Sequence, residues 1–138
     1  MIVLDTNVLS ALMRREPDAA AVAWLDGQSA ESIWTTAITV FEIRFGLELL
    51  VPGRRRRQLE TAFSRAISED LEDRVLPFDE EAAREAASRA AERQRAGRRI
   101  DFRDLEIAGI VSTRRATLAT RNVRHFQDLG IALVDPWA

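Results

Sequence analysis

An α/β domain with a short, mainly parallel five-stranded sheet and helices on both faces is the fold class this chain predicts. Three observations carry it. Short runs rich in apolar and β-branched residues recur at Ile2–Leu4, Ile33–Thr35, Val75–Phe78, Thr117–Thr120 and Ala132–Val134. Helix-length stretches with caps and stops lie between them, and strands alternating with helices imply a parallel sheet covered on both sides. No repeat, low-complexity tract or long linker divides the 138 residues, so 1–138 reads as a single domain.

The strand Ile2–Leu4 leads into a short helix from about Asn7 to Met13. A second helix starts near Asp18, just after Pro17, and stops at Gly27. Ile33-Trp34-Thr35 is the second strand, and Thr36 caps a long helix from about Ala37 to Leu50, ended by Pro52-Gly53. Arg54–Arg57 opens the next helix, to about Glu69. Four like charges at a helix N-terminus oppose the macrodipole, which favours a solvated turn or an anion-facing patch over a packed one. Val75–Phe78 is the third strand, and Asp79 caps an alanine-rich helix to about Ala96. Asp101 caps a helix through about Thr113; a short helix, Val123–Gln127, separates the last two strands.

The composition narrows the chemistry. Hydrophobic residues make up 46% and charged residues 30%, an ordinary soluble balance. No apolar stretch approaches the roughly 20 residues of a membrane helix, and the start, Met-Ile-Val-Leu-Asp, reads as a strand and not a signal peptide. A cytoplasmic protein with no membrane contact is the expectation. The absence of cysteine excludes disulfides, zinc–thiolate sites and thiol nucleophiles. The sequence also contains no lysine, so all 20 cations are arginines. Mechanisms built on a lysine, such as a P-loop ATPase or a Schiff-base enzyme, are excluded. Arginine forks can still hold a phosphate backbone, although a net charge of −2 does not announce a nucleic-acid binder.

Acids stand where apolar elements should be undisturbed. Asp5 follows Ile2-Val3-Leu4 directly, at the carboxyl edge of the sheet, where open α/β sheets bind ligands. A helix cap explains it as well as a metal site does, with Thr6 able to take the cap instead. Glu42 lies on a stripe with Ile38, Phe45 and Leu49, which reads as a core face interrupted by a carboxylate. Asp104 shares a stripe with Ala108 and Val111, which turns it inward, while Asp101 is the better cap. Asn122 is an N-cap for the last helix, and also lies at the same sheet edge as Asp5. Thr6 and Thr120 supply hydroxyls there. His125, the only histidine, reads as a solvated side chain first and a metal ligand second. Carboxylates scattered in sequence and gathered by a fold suggest a divalent metal and phosphate chemistry.

Three blocks of sequence, Val3–Ser10, Phe41–Gly46 and Leu118–Val123, together with the ending Asp135-Pro136-Trp137, resemble the PIN-domain ribonucleases of the VapC toxin family, in the branch that contains FitB. The resemblance covers essentially the whole chain. It implies a parallel sheet with acids gathered around Mg²⁺ or Mn²⁺: Asp5 first, Glu42 second and Asp104 third, with Thr6 and Thr120 as the accompanying hydroxyls. It also implies a small VapB- or FitA-like antitoxin as partner, a homodimer and an RNA substrate. The chain departs from the family at the fourth acid, where Asn122 and His125 occupy the two alternative positions. That weakens the case for a second metal.

The reaction so implied is hydrolysis of an RNA phosphodiester, with Asp5, Glu42 and Asp104 holding the metal and Arg121 and Arg103 steering the backbone. A haloacid-dehalogenase phosphatase and a receiver domain both require a lysine and are rejected. The remaining rival is a PIN fold that binds RNA or a partner without cutting.

Overall fold

The computed structural model describes residues 1–138. Five strands, β1 (Ile2–Leu4), β2 (Ile33–Thr36), β3 (Val75–Leu76), β4 (Thr117–Ala119) and β5 (Ala132–Val134), form one sheet in the order β3-β2-β1-β4-β5. Every pairing is parallel, so the sheet is wholly and not merely mainly parallel. Strand β3 is only half the predicted run. Pro77 has no N–H to give a neighbouring strand, and pairing stops before it.

Seven helices connect and cover the strands: α1 (Thr6–Met13), α2 (Ala19–Asp26), α3 (Ala37–Glu48), α4 (Arg54–Arg65), α5 (Glu80–Arg95), α6 (Phe102–Thr113) and α7 (Val123–Phe126). Two cores lie on opposite faces. Val3 and Leu118 point into one with Ile107, Ala108, Val111 and Phe126; Leu4 and Ala119 point into the other with Val8, Leu9, Ile43 and Phe63. Successive residues of β1 and β4 thus serve different layers, as the period of two requires. Beyond Arg65 the chain widens into a π turn over Ala66–Asp70, and Glu72 and Asp73 take left-handed backbone angles before β3.

The strand order reverses at β1. From there β2 and β3 build outward on one side, and β4 and β5 on the other. The carboxyl ends of β1 and β4 therefore flank a crevice that no connection crosses, the position where such sheets bind ligands.

The long helix α3 is rotated relative to expectation. Its buried face is Thr39, Ile43 and Leu47, whereas Phe45 is 49% and Leu49 71% exposed. The stripe of Ile38, Glu42, Phe45 and Leu49 is thus not a core face, and Glu42 does not interrupt one. It sits half-buried on the flank turned toward the crevice. The run Arg54–Arg57 is the first turn of α4, and only Arg56 is engaged, bridging Glu48 at 3.0 Å and Glu60 at 2.7 Å.

Candidate active site

Asp5 is the centre of the site. It ends β1 with its backbone N–H bonded to Ala119 of β4 at 2.9 Å, which locks the carboxylate at the reversal point. The residue is only 5% exposed. Its Oδ1 accepts from the Thr6 N–H at 2.8 Å, and its Oδ2 accepts from the Thr120 hydroxyl at 2.7 Å and the Asn7 amide at 3.2 Å. The alternatives of cap and ligand are therefore not exclusive, because Asp5 caps α1 itself and Thr6 does not. Burial raises its pKa despite these donors.

Asn7, which sequence reasoning passed over as an ordinary helix residue, ties the crevice together. Its amide also reaches the Thr120 hydroxyl at 3.4 Å, and its carbonyl oxygen accepts the Arg121 backbone N–H at 3.0 Å. Only its distance of two residues from Asp5 could have flagged it. Thr6 turns its hydroxyl to Thr39 of α3 at 3.3 Å, joining α1 to the helix that carries Glu42.

Glu42 and Asp104 come to the same crevice from α3 and α6. Burial first, then the charge of Asp5, raises the Glu42 pKa, with Arg103 and Thr6 acting in the opposite direction. Asp104 lies in the first turn of α6, which Asp101 caps through its Oδ1 at 3.2 Å from the Asp104 N–H. Burial, Asp101 and Asp5 push Asp104 up to about 6, and His125 partly opposes them. Glu42 and Asp104 thus both feel the charge of Asp5. No three of them close into a finished cage of ligands, yet three carboxyls each raised chiefly by burial are oxygen donors of the kind a hard divalent cation takes.

His125 occupies the edge, with Nδ1 3.3 Å from Asp104 Oδ2. Asn122 makes no side-chain cap to α7, contrary to expectation; its backbone N–H bonds the Thr120 hydroxyl at 3.0 Å instead. The guanidinium of Arg121 lies over the Trp137 ring, 4.6 Å from its centroid, which pins the C-terminal tail. Arg103 is the cation that faces Glu42.

The raised acids have a measurable consequence. A carboxyl whose folded pKa exceeds its ordinary value of 3.8 penalises folding above the folded value, and the penalty fades as pH falls from about 6 toward 3.8. Asp104→Asn should therefore stabilise the metal-free protein at pH 7.5, by about 1 kcal/mol after solvent screening, and should gain little at pH 4.5. Thermal melts of the two proteins at both pH values check this. Equal or opposite differences would show that Asp104 is not under strain.

The whole arrangement has known counterparts. Residues 2–131 match the family model of the PIN domain. A VapC ribonuclease, Y4jK, of Sinorhizobium fredii is 39% identical over 137 residues, 99% of this chain and 98% of that one. The toxin FitB of Neisseria gonorrhoeae is 36% identical over 137 residues, 99% of each. The crystal structure of FitAcB from Neisseria gonorrhoeae superposes with a TM-score of 0.88 at 36% identity, covering 99% of both chains. With the match running from β1 to the edge of β5 and the acids placed at the sheet reversal, the chain belongs to the PIN-domain family.

Proposed function

We propose that the chain is a metal-dependent endoribonuclease and the toxin of a toxin–antitoxin pair. The observation that carries this is Asp5, buried at the sheet reversal, fixed by three donors and facing the charges of Glu42 and Asp104. These three acids would hold Mg²⁺ or Mn²⁺. An ion so held supplies Lewis-acid activation of water and neutralises charge developing on the phosphate. The chain's own part is orientation: Thr120 and Asn7 fix the Asp5 carboxylate, and Arg103 offsets the charge of Glu42 toward an incoming anion. Asn122 and His125 add no anionic ligand, which favours a single ion.

The partner reading draws on the relatives, which are solved as FitA–FitB and VapB–VapC complexes. This chain has a groove of about 580 Å³ between α1, α2 and α4, with Leu9, Leu12, Met13, Leu25 and Leu71 along it. Such a groove takes the apolar face of a partner helix. The exposed Phe41 and Phe45, stacked with centroids 6.0 Å apart, share one face of α3 with the exposed Leu49, which we assign to a homodimer. Sedimentation equilibrium should give a dimer for the parent and a monomer for Phe45→Glu; a parent that sediments as a monomer would refute the assignment.

Cleavage of a small-RNA pool by purified protein tests the function. Cutting should occur with Mg²⁺ or Mn²⁺, stop in EDTA, and be silenced by a FitA-like antitoxin. A folded protein that cuts with neither metal would be a binding module.

A further inference from the structure

Arg93, Arg99 and Arg124 converge on a pocket of about 200 Å³ that has Asp104 and His125 in its wall. Its sides come from the end of α5, the segment before α6, the first turn of α6, and α7. The buried Leu105 and Leu129 back it.

The charges in this pocket are unevenly spent. Arg93 is tied down, with Nη1 on the Arg99 carbonyl at 3.2 Å and Nη2 on the His125 carbonyl at 3.2 Å and on Asp128. Its Nε is buried and has no hydrogen-bond partner. A buried donor on a cation is costly to leave unmade, and the protein supplies no acceptor for it. Arg99 and Arg124 are exposed and have no ion pair, and Arg98 already shares Asp128 with Arg93. Asp101, the other acid of the pocket, is engaged as the cap of α6.

We propose that this pocket binds a backbone phosphate of the RNA, next to the one being cut. The inference rests on the ribonuclease reading and deepens it. Guanidinium forks suit an acceptor-only anion with several oxygens. The pocket shares Asp104 with the acidic crevice, so a ligand in one runs on into the other, as a polynucleotide strand does. Three acids in a crevice repel a polyanion. The unpaired Arg99 and Arg124 beside them offset that repulsion at the approach.

Anisotropy of a short fluorescein-labelled single-stranded RNA, titrated in EDTA so that nothing is cut, tests it. The Arg99→Ala/Arg124→Ala double variant should raise Kd about tenfold, and lower the slope of log affinity against log salt by about 0.7, one phosphate's share on single strands. Both side chains are exposed and free of hydrogen bonds, so the melting temperature should not move. Arg54→Ala/Arg55→Ala, which removes the same charge from α4, should change Kd less than twofold. Equal losses in the two double variants, or none in either, would overturn the pocket. If the parent still cuts RNA with metal in that case, the nuclease reading stands; a parent that neither binds nor cuts would remove both.

Discussion

Asp5→Asn should lower the rate of RNA cleavage by on the order of 10³-fold or more, with the protein still folded. Losing a supporting hydrogen bond around a metal ligand costs 10–100-fold, so losing the charge of a ligand itself costs more, about 4 kcal/mol of barrier for three decades. Asp5 should be the most sensitive of the three acids. It is 5% exposed, whereas Glu42 and Asp104 are half-buried at the crevice edge and have more room to adjust. Asparagine keeps the shape and the Thr6 contact on Oδ1. Its amide nitrogen meets the Asn7 amide and the Thr120 hydroxyl, of which only the hydroxyl can turn to accept. Initial rates for parent and variant, each with matched circular dichroism, decide it. More than a tenth of the parent's activity in Asp5→Asn would break the metal assignment and return the chain to its rival, a PIN fold that binds without cutting.

Gly109→Ala carries the largest effect on stability. Gly109 lies in the middle of α6 against α5, where a β-carbon would stand 2.4 Å from the Ala82 carbonyl oxygen and 3.0 Å from Ala86. The obstacle is backbone, so one helix must move. Alanine would gain up to about 1 kcal/mol of helix propensity, but separating two closely packed helices costs more, and a net loss of about 2–3 kcal/mol is expected. For a domain of this size that lowers Tm by roughly 10 °C. The same displacement would move Asp104 at the start of α6, so metal affinity should fall with stability. An unchanged or raised Tm would show that the two helices can part without penalty.

The end of β1 was legible because an apolar triplet runs straight into a polar residue at Leu4-Asp5, whereas β3 and β4 stop short of the expected Phe78 and Thr120. The caps Thr36, Asp79 and Asp101 were legible for a local reason, each bonding an N–H within three residues. The face of α3 was not. Phe45 and Leu49 are apolar and exposed, while the buried stripe contains Thr39, and apolar character marks interior positions only one way. Glu42 was read as interrupting a core face, whereas its half-buried place comes from the crevice and not from a core. Asn7 was missed because its partners, Thr120 and Arg121, lie over a hundred residues away. Arg121 looked available beside the acids, and only the fold brings Trp137 beneath it.

The hydrogen bond from Thr120 to Asp5 spans 115 residues, and β4 reaches β1 only after α6 is made. Contacts this distant along the chain form late and as a set. During synthesis from the N-terminus, a ribosome has produced nearly the entire polypeptide before the first acid acquires its support. A nascent chain that stops short of β4 therefore lacks the Thr120 hydroxyl and the Ala119 carbonyl that hold Asp5, and the crevice is assembled only once β4 has paired with β1.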